Sequence, residues 1–271
     1  QVSCGYGHVA CVKTDGTLWL WGSSVYGQLG DNTLTSKSSP VQTIAGGTNW
    51  KQVSCGIEHT AAIKTDGTLW AWGRGALGRL GGGTSTTQSS PVQTITGGTN
   101  WKQVSCGENH TAAVKTDGTL WLWGNNASGR LGDGTSDTKS SPAQTITGGT
   151  NWIQVSCGIE HTAAIKTDGT LWLWGSNGYG QLGDGTSALA RSSPVQTITG
   201  GTNWKQVACG RVHTAAVKTD GTLWLWGSNA YGQLGDNTNT YTSSPIQTIT
   251  GGTYWKQVSC EQHTAAVQNN G

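Results

Sequence analysis

The chain has 271 residues, 43 of them glycine and 15 tryptophan, with no methionine or phenylalanine, 11% charged residues and a formal net charge of +2. Many tryptophans with little charge exclude intrinsic disorder, which pairs low hydrophobicity with high net charge. No apolar run approaches the roughly 20 residues of a membrane helix, so membrane insertion is not expected, and near-zero net charge gives no electrostatic case for nucleic acid.

The elements repeat along the chain. Gln-Val-Ser-Cys begins at Gln1, Gln52, Gln103, Gln154 and Gln257, and Gln-Val-Ala-Cys begins at Gln206. The period is 51 residues, with one extra residue around Ala188 to Arg191. Self-similarity at a fixed period of this size marks a solenoid, propeller or array. All 15 tryptophans fall in three slots per unit, such as Trp70, Trp72 and Trp101. The prolines share one slot, from Pro40 to Pro245, and the histidines another, from His8 to His263.

The second unit shows the order of elements. Val53 and Cys55 alternate with Gln52 and Ser54, which predicts strand A over 52–55. Strand B is predicted over 60–64. Asp66-Gly67 then predicts a tight hairpin of type I′, with positive φ at both central residues. Strand C is predicted over 68–72. Trp70 and Trp72 lie two apart and share a face, which is expected to form the packing layer between neighbouring sheets. Trp101, just before the next strand A, is expected to wedge the following sheet, so that tryptophan does what Leu, Ile and Phe do in most cores. A glycine-rich loop follows, then Ser89-Ser90-Pro91 as a turn leading into strand D over 92–95.

Five units carry all four strands, and the sixth has only A and B. The sixth also departs from the pattern. Cys260-Glu261-Gln262-His263 is one residue short, and Gln268-Asn269-Asn270 replaces Lys-Thr-Asp, as in degenerate terminal repeats. A four-stranded antiparallel unit of this length suits a propeller blade. The predicted fold is a single all-β propeller over residues 1–271, with six radial blade positions, one of them incomplete. With no methionine at position 1, the chain reads as processed or as a fragment. The alternative is a propeller completed by residues outside it.

The run His-Thr-Ala-Ala-Ile-Lys-Thr-Asp-Gly-Thr-Leu-Trp-Ala-Trp-Gly over 59–73, with Tyr-Gly-Gln-Leu-Gly as at 26–30, resembles the regulator of chromosome condensation (RCC1) repeat family. The resemblance recurs in every unit and covers essentially the whole chain. It implies a β-propeller, most often seven-bladed. Members of that family include a guanine-nucleotide exchange factor, a plant ultraviolet sensor and a secreted β-lactamase inhibitor, so the resemblance implies no single function. The sensor carries Gly-Trp-Arg-His-Thr motifs at its dimer face. The matching positions here read Gly-Ile-Glu-His-Thr over 56–60 and Gly-Glu-Asn-His-Thr over 107–111, so photosensing is not implied. The tryptophan-rich repeats resemble secreted or phage-encoded members, which implies an extracellular, cell-surface or virion setting.

No catalytic, cofactor or metal residue is expected. Cys55-x3-His59 and its equivalents have a spacing that suits zinc, but the pairs lie in different blades and do not converge. The histidine is read as bonding backbone at the end of strand B, and the cysteine as a small apolar filler. Cys4 and the additional Cys11 flank the first A–B turn, where a disulfide stays open until geometry decides it. The Gly-Gln-Leu-Gly-Asp loops lack the Lys-Ser/Thr of a phosphate loop and the ligand spacing of a calcium loop. No Gly-x-Ser-x-Gly elbow occurs.

Differences among the units concentrate in two places. One is the A–B turn, which carries Tyr6, Ile57-Glu58, Glu108-Asn109, Ile159-Glu160 and Arg211-Val212. The other is the C–D loop, with Arg74, Arg130, Arg191 and Tyr241. Loops on a rigid frame carry binding residues, and Arg and Tyr are frequent interface anchors. These positions are therefore the expected contacts of a non-enzymatic binding module for a protein or glycan partner. Neutral drift at exposed sites is the competing explanation. The alternative function is an assembly protein that self-associates through the edge of its incomplete blade.

Overall fold

The computed structural model describes residues 1–268. Asn269-Asn270, which carry part of the expected terminal departure, lie outside the described residues. The first sheet runs β1 (Val2–Cys4), β2 (His8–Val12), β3 (Leu18–Gly22) and β4 (Lys37–Gln42). The second is β5 (Trp50–Cys55), β6 (His59–Lys64), β7 (Leu69–Gly73) and β8 (Gln88–Gln93), with a 3₁₀ turn at Ala76–Gly78. The third is β9 (Trp101–Cys106), β10 (His110–Lys115), β11 (Leu120–Gly124) and β12 (Lys139–Gln144). The fourth is β13 (Trp152–Cys157), β14 (His161–Lys166), β15 (Leu171–Gly175) and β16 (Arg191–Gln196). The fifth is β17 (Trp204–Cys209), β18 (His213–Lys218), β19 (Leu223–Gly227) and β20 (Thr242–Gln247). Last come β21 (Trp255–Cys260) and β22 (Thr264–Gln268), which pair only with each other among the described residues. Within each sheet the strands pair in sequence order and antiparallel.

Two compact units divide the chain. The first comprises Gln1–Asn126 and Asp137–Gln144, and holds sheets one to three; the second comprises Ala127–Ser136 and the residues from Thr145 on.

Packing within each unit follows one rule. Ala10, Val12, Leu18 and Leu20 of the first sheet bury against Trp50, Val53, Cys55, Ala62 and Trp72 of the second. Ala61, Ile63, Leu69 and Ala71, on the second sheet's other face, bury against Trp101, Val104, Cys106, Ala113 and Trp123. The fourth and fifth sheets repeat this. The tryptophans of strand C do form the inter-sheet layer, but on one face only, and Leu, Ile and Ala supply the other. Trp50 and Trp72 meet edge to face at 6.0 Å, and the equivalent pairs recur at 6.0–6.3 Å. Burying roughly 200 Å² of one indole is worth about 5 kcal/mol, so these pairs dominate the cohesion of each layer.

Three local expectations need correction. The Asp-Gly hairpin is not type I′. Gly67 has φ +78° while Asp66 is not in the positive-φ region, and Gly67 N donates to Lys64 O at 2.9 Å and Lys64 N to Thr68 O at 3.0 Å. This is a three-residue loop, a tight turn followed by one left-handed glycine. Strand A begins at the tryptophan itself, because Trp50 pairs with Lys64 across a bulge at Lys51. Strand D begins earlier than expected. Gln88 pairs with Gly73 and Val92 with Ala71, and Ser89-Ser90-Pro91 spans the bulge between them. A proline is tolerated there because β8 is an edge strand and the bulge asks no ladder hydrogen bond of it.

Candidate functional site

Each four-stranded sheet has two distinct ends. At one end the A–B turn receives the residue that follows strand C. Ser23 N donates to Gly7 O, Arg74 N to Glu58 O, Asn125 N to Asn109 O, Ser176 N to Glu160 O and Ser228 N to Val212 O, at 2.7–2.9 Å. At the opposite end the D–A connection returns to the B–C turn, with Trp50 N on Gly16 O and Trp101 N on Gly67 O. A–B turns and C–D loops thus share one end, and it carries every residue expected to contact a partner.

That end is built from close backbone contacts. Neighbouring A–B turns bond directly, Ile159 N to Arg211 O at 3.3 Å and Arg211 N to Glu261 O at 2.8 Å. The C–D loop of one sheet caps the next sheet. Trp72 Nε1 and Thr60 Oγ1 both donate to Gln28 O at 2.9 Å. Gly30 lies against the same indole with φ +67°, where a Cβ would fall 2.7 Å from Trp72 Nε1. The Gly-Gln-Leu-Gly motif is therefore an inter-sheet clamp whose glycine is required by both backbone and contact.

The buried histidines belong to the same joint. His8 Nε2 lies 2.8 Å from Thr60 Oγ1, His59 Nε2 2.9 Å from Thr111 Oγ1, His161 Nε2 3.0 Å from Thr214 Oγ1 and His213 Nε2 2.9 Å from Thr264 Oγ1. Each threonine hydroxyl donates to a loop carbonyl, so it accepts from the imidazole, which assigns the proton to Nε2. The expected bond to backbone is replaced by one to a side chain of the following sheet. Burial holds His8 and His213 down at about 4 and His161 at about 3, so all three are neutral at pH 7. The cysteine slot is apolar filler, since Cys55, Cys106, Cys157 and Cys209 are buried, and desolvation pushes the Cys106 thiol up to about 12. Cys4 and Cys11 are free and are not cross-strand partners; Cys4 pairs with Val9 and Cys11 with Val2. That diagonal places them roughly 7–8 Å apart, beyond disulfide reach.

Tyr6 is 71% and Tyr241 50% exposed. Ile57, Glu58, Arg74, Glu108, Asn109, Ile159, Glu160, Arg191, Arg211 and Val212 are half-buried. In the first unit Arg74 Nη1 bonds Glu58 Oε2 at 2.6 Å and its guanidinium stacks 4.9 Å from the Tyr26 ring centroid. The Glu58 bond raises the Arg74 pKa. Arg191 is held by Asp184 through Nε and Nη2 at 3.2 and 3.0 Å. Arg130 leaves the set of contact residues. It is 1% exposed, with Nη1 on Ile159 O and Nη2 on Glu160 Oε1, both at 3.2 Å. It fills the glutamine slot of the clamp, as does Arg79, whose burial lowers its pKa to about 10. Both arginines prop an A–B turn from beneath, Arg79 through Glu108 O at 3.4 Å.

Two exposed residues at this end were not singled out from the sequence, Tyr179 (50%) and Tyr231 (90%). They sit in the Tyr-Gly-Gln-Leu-Gly motif and read there as repeat signature. Leu77 and Ser128 in the same slot are the signal that it varies. Leu77 is 41% exposed with φ +64°, a strained setting for that residue type. Among the described residues no group of three His, Cys, Asp or Glu converges as a metal site, and no helix is long and apolar enough to cross a membrane.

The family model described as the RCC1-like domain matches residues 1–271. The chain belongs to the RCC1-like domain family. It is 37% identical over 239 residues to the Arabidopsis thaliana ultraviolet-B receptor UVR8, covering 87% of this chain and 54% of that protein. It is 33% identical over 250 residues to the human E3 ubiquitin-protein ligase HERC2, covering 90% of this chain and 5% of that protein. The chain thus spans about half of one curated relative and a small part of the other. The solved structure of human WBSCR16 superposes with TM-score 0.88 at 26% identity, covering all of this chain and 72% of that one. Yeast RCC1 (Prp20), solved bound to Kap60, gives TM-score 0.85 at 21% identity, covering all of this chain and 68% of that one. The fold of this RCC1-like chain is an all-β propeller, with five four-stranded sheets and one two-stranded sheet among the described residues.

Proposed function

We propose that residues 1–271 act as a non-enzymatic protein-binding module that meets its partner, in each compact unit, through the ends of the sheets bearing the A–B turns and C–D loops. The observation that carries this is where the repeats differ. The opposite end is equally exposed yet nearly unchanged. Thr14, Thr65, Thr116, Thr167 and Thr219 of the B–C turns are exposed and identical. Drift at unconstrained exposed sites acts on both ends alike, so drift alone does not produce this segregation. The relatives support a binding role, since one is a receptor and one was solved with Kap60. They come from a plant, human and yeast and lend no support to a virion or cell-surface setting.

The contact set is Tyr6, Ile57, Glu58, Arg74, Glu108, Asn109, Ile159, Glu160, Arg191, Arg211, Val212 and Tyr241, with Tyr179 and Tyr231 added. Loops rich in Tyr, Ser, Gly and Asn combine rigid aromatic contact area with adaptable hydrogen bonding. The aliphatic Leu77 and Leu189, 41% and 68% exposed, suit a protein surface better than the hydroxyl-rich edge of a glycan. Affinity measurement against a recovered partner tests the reading. Alanine at Tyr6, Ile57, Ile159 and Arg211 together is expected to weaken binding at least tenfold, and unchanged affinity would overturn it. A second reading, self-association, rests on β22, where Val267 is 59% exposed and no further strand pairs among the described residues. A mass in solution that stays monomeric across a hundredfold concentration range removes it.

A further inference from the structure

The charges of this protein are sorted between the two ends of its sheets, which a net charge of +2 conceals. All five arginines and all four glutamates lie in the A–B turns, in the C–D loops or, for Arg191, at the first residue of β16 beside its loop. The other end carries only lysine and aspartate, in two kinds of position.

The first kind is the B–C turn, where the charges neutralise each other locally. Lys13 Nζ is 3.3 Å from Asp15. Lys64 sits over the Trp50 and Trp70 rings at 4.8 and 4.7 Å, and Lys115 and Lys218 repeat this. Each turn carboxylate is held below its ordinary range first by its threonine hydrogen bonds and then by the charge of its own turn lysine, Lys64 on Asp66 and Lys115 on Asp117.

The second kind is the bulge in strand A. Lys51, Lys102, Lys205 and Lys256 each occupy the extra residue between a tryptophan and a glutamine. All four are exposed. None has an ion-pair partner among the described residues. Within each unit two of them stand side by side, because neighbouring A strands are laced laterally. Gln52 bonds both Val104 N and Val104 O, at 3.0 and 3.4 Å, which sets Lys51 beside Lys102. Gln206 bonds Val258 N and O at 3.1 and 3.2 Å and sets Lys205 beside Lys256. In the fourth sheet Ile153 takes the slot.

We propose that Lys51 with Lys102, and Lys205 with Lys256, dock an acidic stretch of a polypeptide, at the end of the sheets opposite to the variable face. Uncompensated ammonium groups on a rigid strand match single carboxylates one for one, and the five turn aspartates of this end are balanced in number by the five turn lysines, which leaves the strand A lysines as its excess positive charge. Nucleic acid fits less well. Phosphate recognition favours arginine, of which this end has none, and the indole faces that would stack on bases already hold Lys64, Lys115 and Lys218. Two charges per unit also fall short of the many phosphate contacts that such binding requires.

Fluorescence anisotropy with a labelled deca-glutamate peptide tests this on the full chain. Binding is expected at 20 mM salt and at least tenfold weaker at 150 mM, because the groups are exposed and screened. Lys51→Gln with Lys102→Gln, or Lys205→Gln with Lys256→Gln, should each weaken binding about threefold, and all four together at least tenfold, with an unchanged melting temperature. No binding at 20 mM, or equal binding by the fourfold variant, overturns the proposal. Tighter binding of a 15-nucleotide single strand that is lost with the same four lysines also overturns it, in favour of nucleic acid. The proposal stands apart from the variable face, which this measurement leaves untouched.

Discussion

A buried histidine is the residue on which the joints between sheets turn. Its Nε2–H supplies the threonine hydroxyl, the hydroxyl supplies the loop carbonyl, and the same carbonyl takes the indole N–H of Trp72. Protonation would charge an imidazole that burial keeps neutral. Because the folded pKa lies below the unfolded value of about 6.5, the unfolded chain binds more protons between about pH 6.5 and 4, and stability falls as pH falls through that window. The turn aspartates, with pKa values lowered from 3.8, lose their contribution only below that range. Urea unfolding at pH 7 and pH 5 should show a loss on the order of 1–2 kcal/mol per buried histidine, and a flat profile would contradict the assignment. Gly30→Ala should cost about 2–3 kcal/mol, because it meets both a left-handed backbone and the face of Trp72. Thermal melting checks this, with Gly46→Ala as the comparison: its φ is +51° but nothing lies within 4 Å.

At the scale of the element, the joint is a repeated contact between the leucine face of one sheet and the tryptophan face of the next. Thr60→Val and Thr214→Val each leave a buried imidazole N–H without its acceptor, at a cost of about 1–3 kcal/mol in denaturant unfolding. A loss below about 0.5 kcal/mol would show that the histidine finds another acceptor. Strand identity and order were legible because the slots repeat. Val53 and Cys55, and Trp70 and Trp72, announce their faces by alternation. Less was legible where tertiary context decides. The Asp66-Gly67 hairpin was plain, but its loop has three residues, because Asp66 is held by Thr68 and only Gly67 turns left-handed. Strand D begins at Gln88 because an edge position accepts Pro91 within a bulge, which composition alone reads as a turn.

Across the whole molecule, variation, arginine and glutamate gather at one end of the sheets, and constancy and lysine at the other. The candidate contact residues were legible as departures from the repeat, but their exposure was not. Arg130 departs from the glutamine of its slot as Arg74 departs from its own counterparts, yet it is buried beneath Glu160 while Tyr6 stands free. One substitution answers to a neighbouring sheet and the other to solvent, and only three-dimensional packing separates them. The most direct measurement places a photo-crosslinking residue at positions 6, 57 or 241 and, in parallel, at positions 65, 116 or 219, then exposes each to the native extract. A binding face at the A–B and C–D end predicts one shared protein adduct from the first three positions and none of that mass from the others. The same adduct from positions 65, 116 and 219, or its absence at 6, 57 and 241, contradicts the account.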